Sequence, residues 1–576
     1  MSELNRIWGT QYADWSKIDL LPDDEAKQRN LWPMIHEHAA FCESEYADYH
    51  HFLSKAIKGA DARAKVGAEG SVPGDLEKTI KGQEIWGPYA DKRGNELLRS
   101  LADPAVVRGN WWGGYVGSHG SRAGAFNLWN QLLHGDVNTS LFFAAIGSEG
   151  LFATDLSFAG YFEQSLPELR EIYGGIGQLL AASVVDNDGI AIHWSQATEH
   201  SAKLFSGIGS PQQSQGNLIS LLDHAGFGYR FITTRMIEHG ELAKHAHKVL
   251  FLACSQTISD KEALVIRRFA EGGGTVIADI AAGIMDGHCR PLWKDGAWKG
   301  PLDDLFGIAR SGEPKSKQIA ESKSRAAGEE VNLPDFSPRV DTSVTVSGGK
   351  ALRQADEYPV VIANKAGKGR TVFLNSPFPH ADNPSSKGFI SALFVGLKSR
   401  PPCELVGDRG YFFRRLRNGD LTLLGVVRDA SVAADAKLQL ADKTNIYDVR
   451  AGKLVGNADS IAVSKDGPQV CLFALLPDVT KKFGVSVPQK VQRGETANVT
   501  FKLDSGKCNP AGRIVRLTVT RPDKSEATAY RSYMKLTGNQ DAAQIPTAYN
   551  DPPGKWTVTA TDVATGTTGK GVFALQ

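Results

Sequence analysis

The sequence predicts a multidomain protein in which two α/β regions precede two all-β regions. Helix and strand patterns alternate over residues 1–182, and strands become continuously apolar between 188 and 400. After residue 402, apolar residues recur with period two, as in half-buried strands. The chain has 576 residues, enough for about three to five domains of ordinary size.

The first region reads as four strand–helix units in a row. The spacing predicts a helix over 36–59 that ends at Gly59 and carries apolar side chains at Phe41, Tyr46, Tyr49, Phe52, Leu53 and Ile57. Strands are predicted at 62–70, 83–89, 105–115 and 138–147, and further helices at 75–82, 95–103, 122–135 and 168–183. Four such units in a row imply a parallel sheet, either open or part of a barrel.

The second region has longer strands, which suit a sheet buried on both faces. Strands are predicted at 189–195, 229–234, 248–255, 275–283, 359–365 and 370–378, and helices at 213–226 and 259–274. Ser259 and Glu262 have the spacing of a capping box at the start of the second helix. The polar segment 311–347 predicts a mobile insertion or a pair of edge strands.

Two all-β regions complete the chain. Residues 403–478 contain an Asn418-Gly419 turn between alternating segments, which predicts a hairpin. Residues 480–576 combine short strands with Gly and Pro turns, which is typical of an immunoglobulin-type sandwich.

Composition excludes several classes of protein. Lys and Arg number 65 against 64 Asp and Glu, so a dedicated nucleic-acid-binding protein is not expected. No apolar run is long enough to span a membrane, and the N-terminus lacks the apolar core of a secretory signal. The six cysteines form no CxxC pair, so neither a zinc knuckle nor a dense disulfide framework is expected. Nothing else visible in the sequence requires a metal or a cofactor.

Several segments resemble one family of glycoside hydrolases. The stretch from IAIHWSQATEHSAKLF (190–205) through KVLFLACSQTISDKEALVIRRFAEGGGTVIADI (248–280) resembles the trimerisation domain of family 42 β-galactosidases, an amidotransferase-like α/β fold. Upstream, LNRIWGTQYADWSKI resembles the segment after the acid/base strand of their barrels. LWNQLLHGDVNTSLFF resembles the segment leading into their eighth strand.

This resemblance implies a domain plan. Residues 1–183 would be the second half of a (β/α)₈ barrel, 188–400 the trimerisation domain, and 403–478 and 480–576 two β-sandwich domains. The first four barrel strands, with the acid/base glutamate, would then precede Met1, so the chain would be a piece of a longer protein or a form lacking the catalytic half. The implied partners are a carbohydrate and copies of the chain, in a homo-oligomer that could be a trimer. An exported parent protein is compatible with this plan, but the compartment stays open.

Two carboxylates are the candidate catalytic groups. Retaining glycosidases need a pair of them about 5–5.5 Å apart, and the family's nucleophile ends the seventh strand. Here that strand carries Trp112-Gly113-Gly114, and residues 104–135 contain no Asp or Glu. Glu69 and Glu149 instead follow the predicted fifth and eighth strands, at the barrel end where active sites form. The alternative is that both are solvated loop acids.

Aromatic and polar residues at the same predicted rim are candidates for substrate binding, because aromatic faces stack on sugar rings and amides bind hydroxyls. They are Asn110, Trp111, Trp112, Tyr115, Trp86, Tyr89, His119 and Arg122. The competing interpretation for the tryptophans is packing in the barrel interior, and for Arg122 it is an ordinary ion pair.

Cys254 follows a predicted strand, as an amidotransferase nucleophile would. The glycines of a nucleophile elbow are missing around it, and no His-x-Glu pair follows downstream. We therefore expect a buried, unreactive cysteine. Three hypotheses remain for function: a β-galactosidase-type hydrolase, a non-catalytic carbohydrate-binding or assembly protein, and, disfavoured, an amidotransferase that uses Cys254.

Overall fold

The computed structural model describes most of the chain. Residues outside the description are 71–73, 88–91, 113–120, 137, 142–151, 159, 245, 296–297, 321–323, 327–335, 381–385, 387–388, 397–402, 408–409 and 429–431. Within described elements, the side chains outside it are those of residues 69, 110–112, 121–125, 127, 138–141, 160–161, 294–295, 324–326 and 395–396. The chain forms two compact units, Met1–Val107 with Asn187–Pro401, and Arg108–Asp186 with Pro402–Gln576.

Helices and short strands alternate up to residue 186, as predicted. In chain order the elements are α1 (Ser2–Trp8), α2 (Asp23–Gln28), α3 (Trp32–Ala60), β1 (Gly67–Glu69), α4 (Leu76–Thr79), β2 (Ile85–Gly87), α5 (Lys92–Leu101), β3 (Val107–Trp112), α6 (Ser121–Leu133), β4 (Asn138–Leu141), α7 (Gly160–Glu171), α8 (Gly177–Ala181) and β5 (Val184–Val185). β1 pairs with β2 in parallel, and β3 pairs with β4 in parallel. The strands are shorter than the sequence patterns suggest.

The predicted helix 168–183 is interrupted. Residues Ile172–Ile176 form a π-helical turn between α7 and α8, in which Gly175 adopts a φ of 118°. A side chain at Gly175 would bring a Cβ within 2.8 Å of Val563 Cγ2. Glycine is therefore required there both for the backbone conformation and for the close approach.

The elements of the second α/β region form one large sheet, two two-stranded sheets and several helices. They are β6 (Ile190–Trp194), α9 (Gln196–Leu204), α10 (Pro211–His224), β7 (Tyr229–Thr233), α11 (Thr234–Glu238), α12 (Glu241–Lys244), β8 (Val249–Leu252), α13 (Asp260–Glu271), β9 (Thr275–Ala278), α14 (Asp303–Phe306), β10 (Ile308–Arg310), β11 (Ser316–Gln318), β12 (Ser324–Ala326), β13 (Arg339–Asp341), β14 (Val344–Val346), β15 (Lys350–Ala355), β16 (Tyr358–Ala366), β17 (Gly369–Leu374) and α15 (Phe389–Gly396).

That sheet has eight strands in the order β12-β15-β16-β17-β9-β8-β6-β7. The five strands from β17 to β7 are parallel, and β6 and β8 are buried at every residue. This confirms the prediction of a sheet covered on both faces. The polar segment 311–347 contributes β12 at the edge of this sheet, the separate two-stranded pair β11–β13, and β14, which pairs with β10 just before the segment.

The chain from residue 403 onwards is built of β-strands. Its strands are β18 (Cys403–Gly407), β19 (Tyr411–Asn418), β20 (Leu421–Arg428), β21 (Ala436–Asp448), β22 (Lys453–Val463), β23 (Val470–Leu476), β24 (Lys482–Ser486), β25 (Lys490–Val491), β26 (Thr496–Asp504), β27 (Ile514–Thr520), β28 (Ser532–Lys535), β29 (Gln540–Pro546), β30 (Gly554–Asp562) and β31 (Thr568–Leu575). The predicted hairpin is confirmed, with Asn418 paired to Leu421 across the turn.

Residues 403–478 differ from the predicted sandwich. They form one antiparallel sheet, β18-β21-β23-β20-β19, with β22 paired to β21 and with β5 added at the edge. Register shifts in β21, between Gln439 and Thr444 and again at Ile446, let this long strand bend. One bent sheet therefore encloses its own apolar cluster where two separate sheets were expected.

Residues 480–576 form a two-sheet sandwich, as predicted. One sheet contains β24, β26 and β29, and the other contains β25, β31, β30, β27 and β28. Trp556 and Phe501 lie in the core between them, with exposed fractions of 0% and 2%. Strand β26 alternates buried and exposed residues along its whole length, so its outward face is polar.

Candidate functional site

The candidate catalytic residue Glu69 lies at the carboxyl end of a short parallel strand. Glu69 is the last residue of β1 and is paired with Gly87, the last residue of β2. Val107, the first residue of β3, donates its N–H to the carbonyl of Glu84 at 2.8 Å. β1 and β2 therefore run side by side, and Glu69 lies at the carboxyl edge of this pair, the edge where barrel enzymes carry their active sites.

Trp86 is the predicted site residue whose side chain the structure describes. It is 1% exposed and belongs to the large apolar cluster that also contains Leu97 and Leu98 of α5. Its indole N–H donates to the carbonyl of Gly70 at 3.4 Å. Trp86 therefore packs in the core, where it supports the turn that follows Glu69.

For some of the other predicted site residues the structure describes only the backbone, and the rest lie outside the described residues. Asn110, Trp111 and Trp112 are paired in parallel with Thr139, Ser140 and Leu141 across β3 and β4. Arg122 lies in the first turn of α6. Tyr89, Tyr115, His119 and Glu149 lie outside the described residues. Their roles, and those of Glu69, stay predictions.

Helix α3 exposes the apolar side chains that the sequence pattern singled out. Phe41, Tyr49 and Phe52 are 63%, 58% and 65% exposed, and Tyr46, Leu53 and Ile57 are also exposed. The buried side of the helix contains Trp32, Met34 and Ala47 instead. A contiguous stripe of exposed apolar side chains is typical of a helix face that another chain segment covers. We call these six residues the α3 face.

The buried side of α3 meets α9 through two histidines. His36 Nδ1 lies 2.8 Å from His200 Nδ1, and His200 Nε2 lies 3.0 Å from Glu43 Oε1. Two facing ring nitrogens share a single proton, so one ring is neutral at this contact. Burial, reinforced by the nearby charge of His200, lowers the pKa of His36 to about 4, while Glu37 and Glu43 act in the opposite direction.

This contact predicts a loss of stability in acid. The unfolded chain protonates His36 near its ordinary pKa of 6.5, whereas the folded chain resists protonation down to about 4. The stability that His36 contributes is therefore complete above pH 6.5 and is lost as the pH falls towards 4. Replacing His36 by Gln removes this titration. We expect the free energy of unfolding to fall less between pH 6.5 and 4 in His36→Gln, by roughly 2–3 kcal/mol.

Urea unfolding at several pH values within that interval measures the effect. His38→Gln is the matched control, because His38 is exposed on the same helix, and its pH profile should follow the wild type. Parallel profiles for His36→Gln and the wild type would contradict the assignment.

Cys254 lies where the sequence places it, directly after β8. It is completely buried and adopts a positive φ of 46°, which is uncommon for a residue other than glycine. Its backbone N–H donates to Asp279, which also accepts from Ser214 Oγ. Burial raises the pKa of the thiol well above its ordinary value. A buried thiol of this kind is not ionised, so the geometry supports an unreactive cysteine.

A buried Ser-His-Glu set lies beside Cys254 and was missed by the sequence reasoning. Ser255 Oγ lies 2.8 Å from His193 Nδ1, and Glu262 Oε1 lies 2.8 Å from His193 Nε2. All three side chains are at most 1% exposed, so no substrate reaches the serine. The set ties the ends of β6 and β8 to the first turn of α13. Glu262 also belongs to the predicted capping box with Ser259, which the structure confirms. That box was the only feature of the sequence that drew attention to a member of the set.

The described residues contain neither a metal-ligand cluster nor a membrane-spanning helix. Across the described ranges, no three His, Cys, Asp or Glu side chains converge as metal ligands would. In the same part of the chain, no helix combines the length and apolar character needed to cross a membrane.

Comparison with known proteins identifies the α/β region. The family model for the β-galactosidase trimerisation domain matches residues 235–394. Among solved structures, the β-galactosidase from Bacillus circulans sp. alkalophilus is similar, with a TM-score of 0.65 and 16% identity over 82% of this chain and 74% of that chain. No curated protein matches the sequence.

Two further structures are similar in fold. The cold-adapted β-galactosidase from Rahnella sp. R3 has a TM-score of 0.64 and 14% identity over 82% of this chain and 73% of that one. The exo-carrageenase GH42 from Bacteroides ovatus has a TM-score of 0.50 and 13% identity over 83% of this chain and 61% of that one. Residues 235–394 thus match the β-galactosidase trimerisation domain, and the fold of the chain is similar to that of family 42 β-galactosidases.

Proposed function

We propose that the protein acts in β-galactosidase-type hydrolysis of O-glycosidic bonds, in β-linked galactosides or a related polysaccharide. The observation that carries the proposal is the match of residues 235–394 to the trimerisation domain of β-galactosidases. The fold similarity to β-galactosidases over 82% of the chain supports it. In this proposal residues 1–183 are the second half of the catalytic barrel, and the protein works as a homo-oligomer, specifically a trimer.

The proposed catalytic carboxylates are Glu69 and Glu149. Glu69 ends β1 at the edge of the parallel strands where barrel enzymes place their reactive groups. Such hydrolysis needs one carboxyl group to protonate the leaving oxygen and a second to attack or to activate water. Asn110, Trp111, Trp112 and Tyr115 would then bind the sugar by stacking and hydrogen bonds, as would Tyr89, His119 and Arg122 at the rim.

The α3 face supports completion of the barrel by further strand–helix units. Phe41, Tyr49 and Phe52 on this face are each more than half exposed. In a closed barrel each helix packs against its neighbours and against the strands, so such a face would be covered. We propose that additional βα units, in the same polypeptide or in another, pack on the α3 face and complete the barrel.

The test is hydrolysis by the native assembly, isolated from source cells through a tag on this chain. Aryl β-galactosides and a β-linked galactan are the substrates. Because each carboxylate acts in the transition state, we expect Glu69→Gln or Glu149→Gln to lower kcat about 100-fold or more. Glu163→Gln, an exposed acid on α7, is the matched control and should keep full activity. Unchanged kcat in both variants would remove these two acids from the mechanism.

A non-catalytic carbohydrate-binding or assembly protein is the second candidate. The observation in its favour is that residues 104–135 hold no Asp or Glu, although the family's nucleophile belongs on that strand. An intact assembly that binds galactan and hydrolyses no β-galactoside would establish this second function and overturn the first.

A further inference from the structure

A polar cavity lies in the C-terminal sandwich, far along the chain from the candidate catalytic residues. Its volume is about 820 Å³. Strands β24 and β26 form its floor, and the turns at 505–510 and 538–539 form its walls. The floor is the outward face of the three-stranded sheet, because Lys482 and Lys502 are exposed while Phe483 and Leu503 are buried.

Glycine opens the floor of this cavity. Gly484 is paired with Lys502 across β24 and β26, on the same outward face as Lys482. A Cβ built at Gly484 would lie 3.7 Å from the Lys502 carbonyl oxygen, which is an ordinary contact. The hollow above Gly484 is therefore open space that a side chain could fill without strain.

The cavity is positively charged. Three lysines line it, Lys482, Lys502 and Lys507, against one carboxylate, Asp504, so the lining carries a net charge of +2. Asp504 Oδ1 accepts the backbone N–H of Gly506 at 3.1 Å. The whole chain has a net charge of only +1, so this concentration of lysines is local and not a general property of the surface.

Neighbouring carboxylates do not neutralise the lysines by direct pairing. Asp478, beside Lys507, accepts two backbone N–H groups, from Lys507 at 3.0 Å and from Val479 at 2.8 Å. These two backbone hydrogen bonds hold the pKa of Asp478 below its ordinary range. Lys465 Nζ lies 2.8 Å from Asp466 and forms an ion pair. Within the described residues, none of the three lysines that line the cavity forms one.

Two amide side chains complete the lining. Asn509 and Asn539 are both exposed at the wall, and each amide donates and accepts hydrogen bonds. Ammonium groups attract anionic substituents, and amides bind hydroxyl groups. An elongated ligand that carries both kinds of group therefore matches the lining.

We propose that this cavity binds an anionic polysaccharide, one that carries sulfate or carboxylate groups along a hydroxyl-rich chain. The choice of a polysaccharide among polyanions rests on the proposed function, because a hydrolase of such a polymer gains local substrate concentration from a second binding site. The sandwich then acts as a substrate-holding module, and its binding does not require the catalytic carboxylates.

Binding of the full chain to a sulfated galactan, its chemically desulfated form and polygalacturonate tests the proposal. Isothermal titration at low ionic strength gives the affinity. We expect the sulfated or carboxylated polymer to bind at least tenfold more tightly than the desulfated galactan. Replacing Lys482, Lys502 and Lys507 together by Gln should weaken that binding about tenfold or more, and added salt should weaken it as well. Gly484→Trp, which fills the hollow without changing charge, should also weaken it.

A matched triple variant controls for general electrostatics. Lys535, Lys555 and Lys570 lie in the five-stranded sheet and are exposed, so their replacement by Gln removes the same charge elsewhere. Equal losses in both triple variants would overturn the site, as would equal binding of the desulfated polymer. Equally tight, lysine-dependent binding of duplex DNA or of anionic vesicles would overturn the polysaccharide assignment. The titration measures binding and does not depend on hydrolysis, so its result stands even if the proposed hydrolase activity is not found.

Discussion

Replacing Arg513 by Ala should destabilise the C-terminal sandwich, residues 480–576, by about 3–5 kcal/mol, because the change leaves the buried carboxylate of Asp562 without its cation. Arg513 and Asp562 are 1% and 0% exposed, and Arg513 Nη1 lies 3.2 Å from Asp562 Oδ2. Thr480 accepts from the same Nη1 at 2.9 Å, and Thr565 donates to Asp562 at 2.6 Å. Burial already raises the pKa of Asp562, and removal of the guanidinium takes away the main opposing influence.

Denaturant unfolding of the full chain, followed by the fluorescence of the sandwich, measures this change. Arg531→Ala is the control, because the Arg531–Glu526 pair is exposed and should contribute no more than about 1 kcal/mol. Replacing both Arg513 and Asp562 by apolar residues should cost less than removing Arg513 alone. A loss below about 1 kcal/mol in Arg513→Ala would show that the pair does not hold the sandwich together.

Phe251→Ala should destabilise the trimerisation domain by a similar amount, about 3–5 kcal/mol. Phe251 lies in the middle of β8 and is 0% exposed. Its ring centroid lies 5.8 Å from that of Phe378 and 6.3 Å from that of Phe394. Removal of the ring opens a cavity in the centre of the sheet, where the surrounding strands cannot collapse to fill it.

Thermal or denaturant unfolding at fixed protein concentration tests this, since assembly also contributes to stability. Leu264→Ala is the control, because Leu264 is 47% exposed on α13 and should change stability by about 0.5 kcal/mol or less. Equal effects of the two changes would contradict the position of β8 between two covered faces.

The eight-stranded sheet was predictable because its signals are local. A strand that is covered on both faces needs an unbroken apolar run, so β6 and β8 are visible in the sequence. The capping box at Ser259 likewise predicts where α13 begins. Strand β5 has only two residues, too few for any periodic pattern, and its place at the edge of the β19 strand depends on residues more than 200 positions away.

The α3 face shows the limit of periodicity. The apolar pattern correctly predicted a helix, but a pattern does not say which side the rest of the chain covers. The covered side is filled by Trp32, Met34 and the His36–His200 contact, and the predicted apolar stripe is exposed. The buried Ser255–His193–Glu262 set was missed for a similar reason, because its members come from three separate elements.

Of the two candidate catalytic carboxylates, the structure describes the strand position of Glu69. Strand order brings Glu69 to the carboxyl edge of the parallel strands, because parallel strands end at a common edge. The identity of the nucleophile did not follow, since the strand that should carry it has no Asp or Glu between residues 104 and 135.

The most direct test of the central claim is hydrolysis of an aryl β-galactoside by the native assembly, captured through this chain and analysed for its polypeptides. We expect turnover, loss of turnover in Glu69→Gln or Glu149→Gln, and βα units packed on the α3 face, so that Phe52→Asp releases them. An intact assembly without turnover on any β-galactoside or β-linked galactan would contradict the proposed hydrolase and leave a carbohydrate-binding or assembly protein.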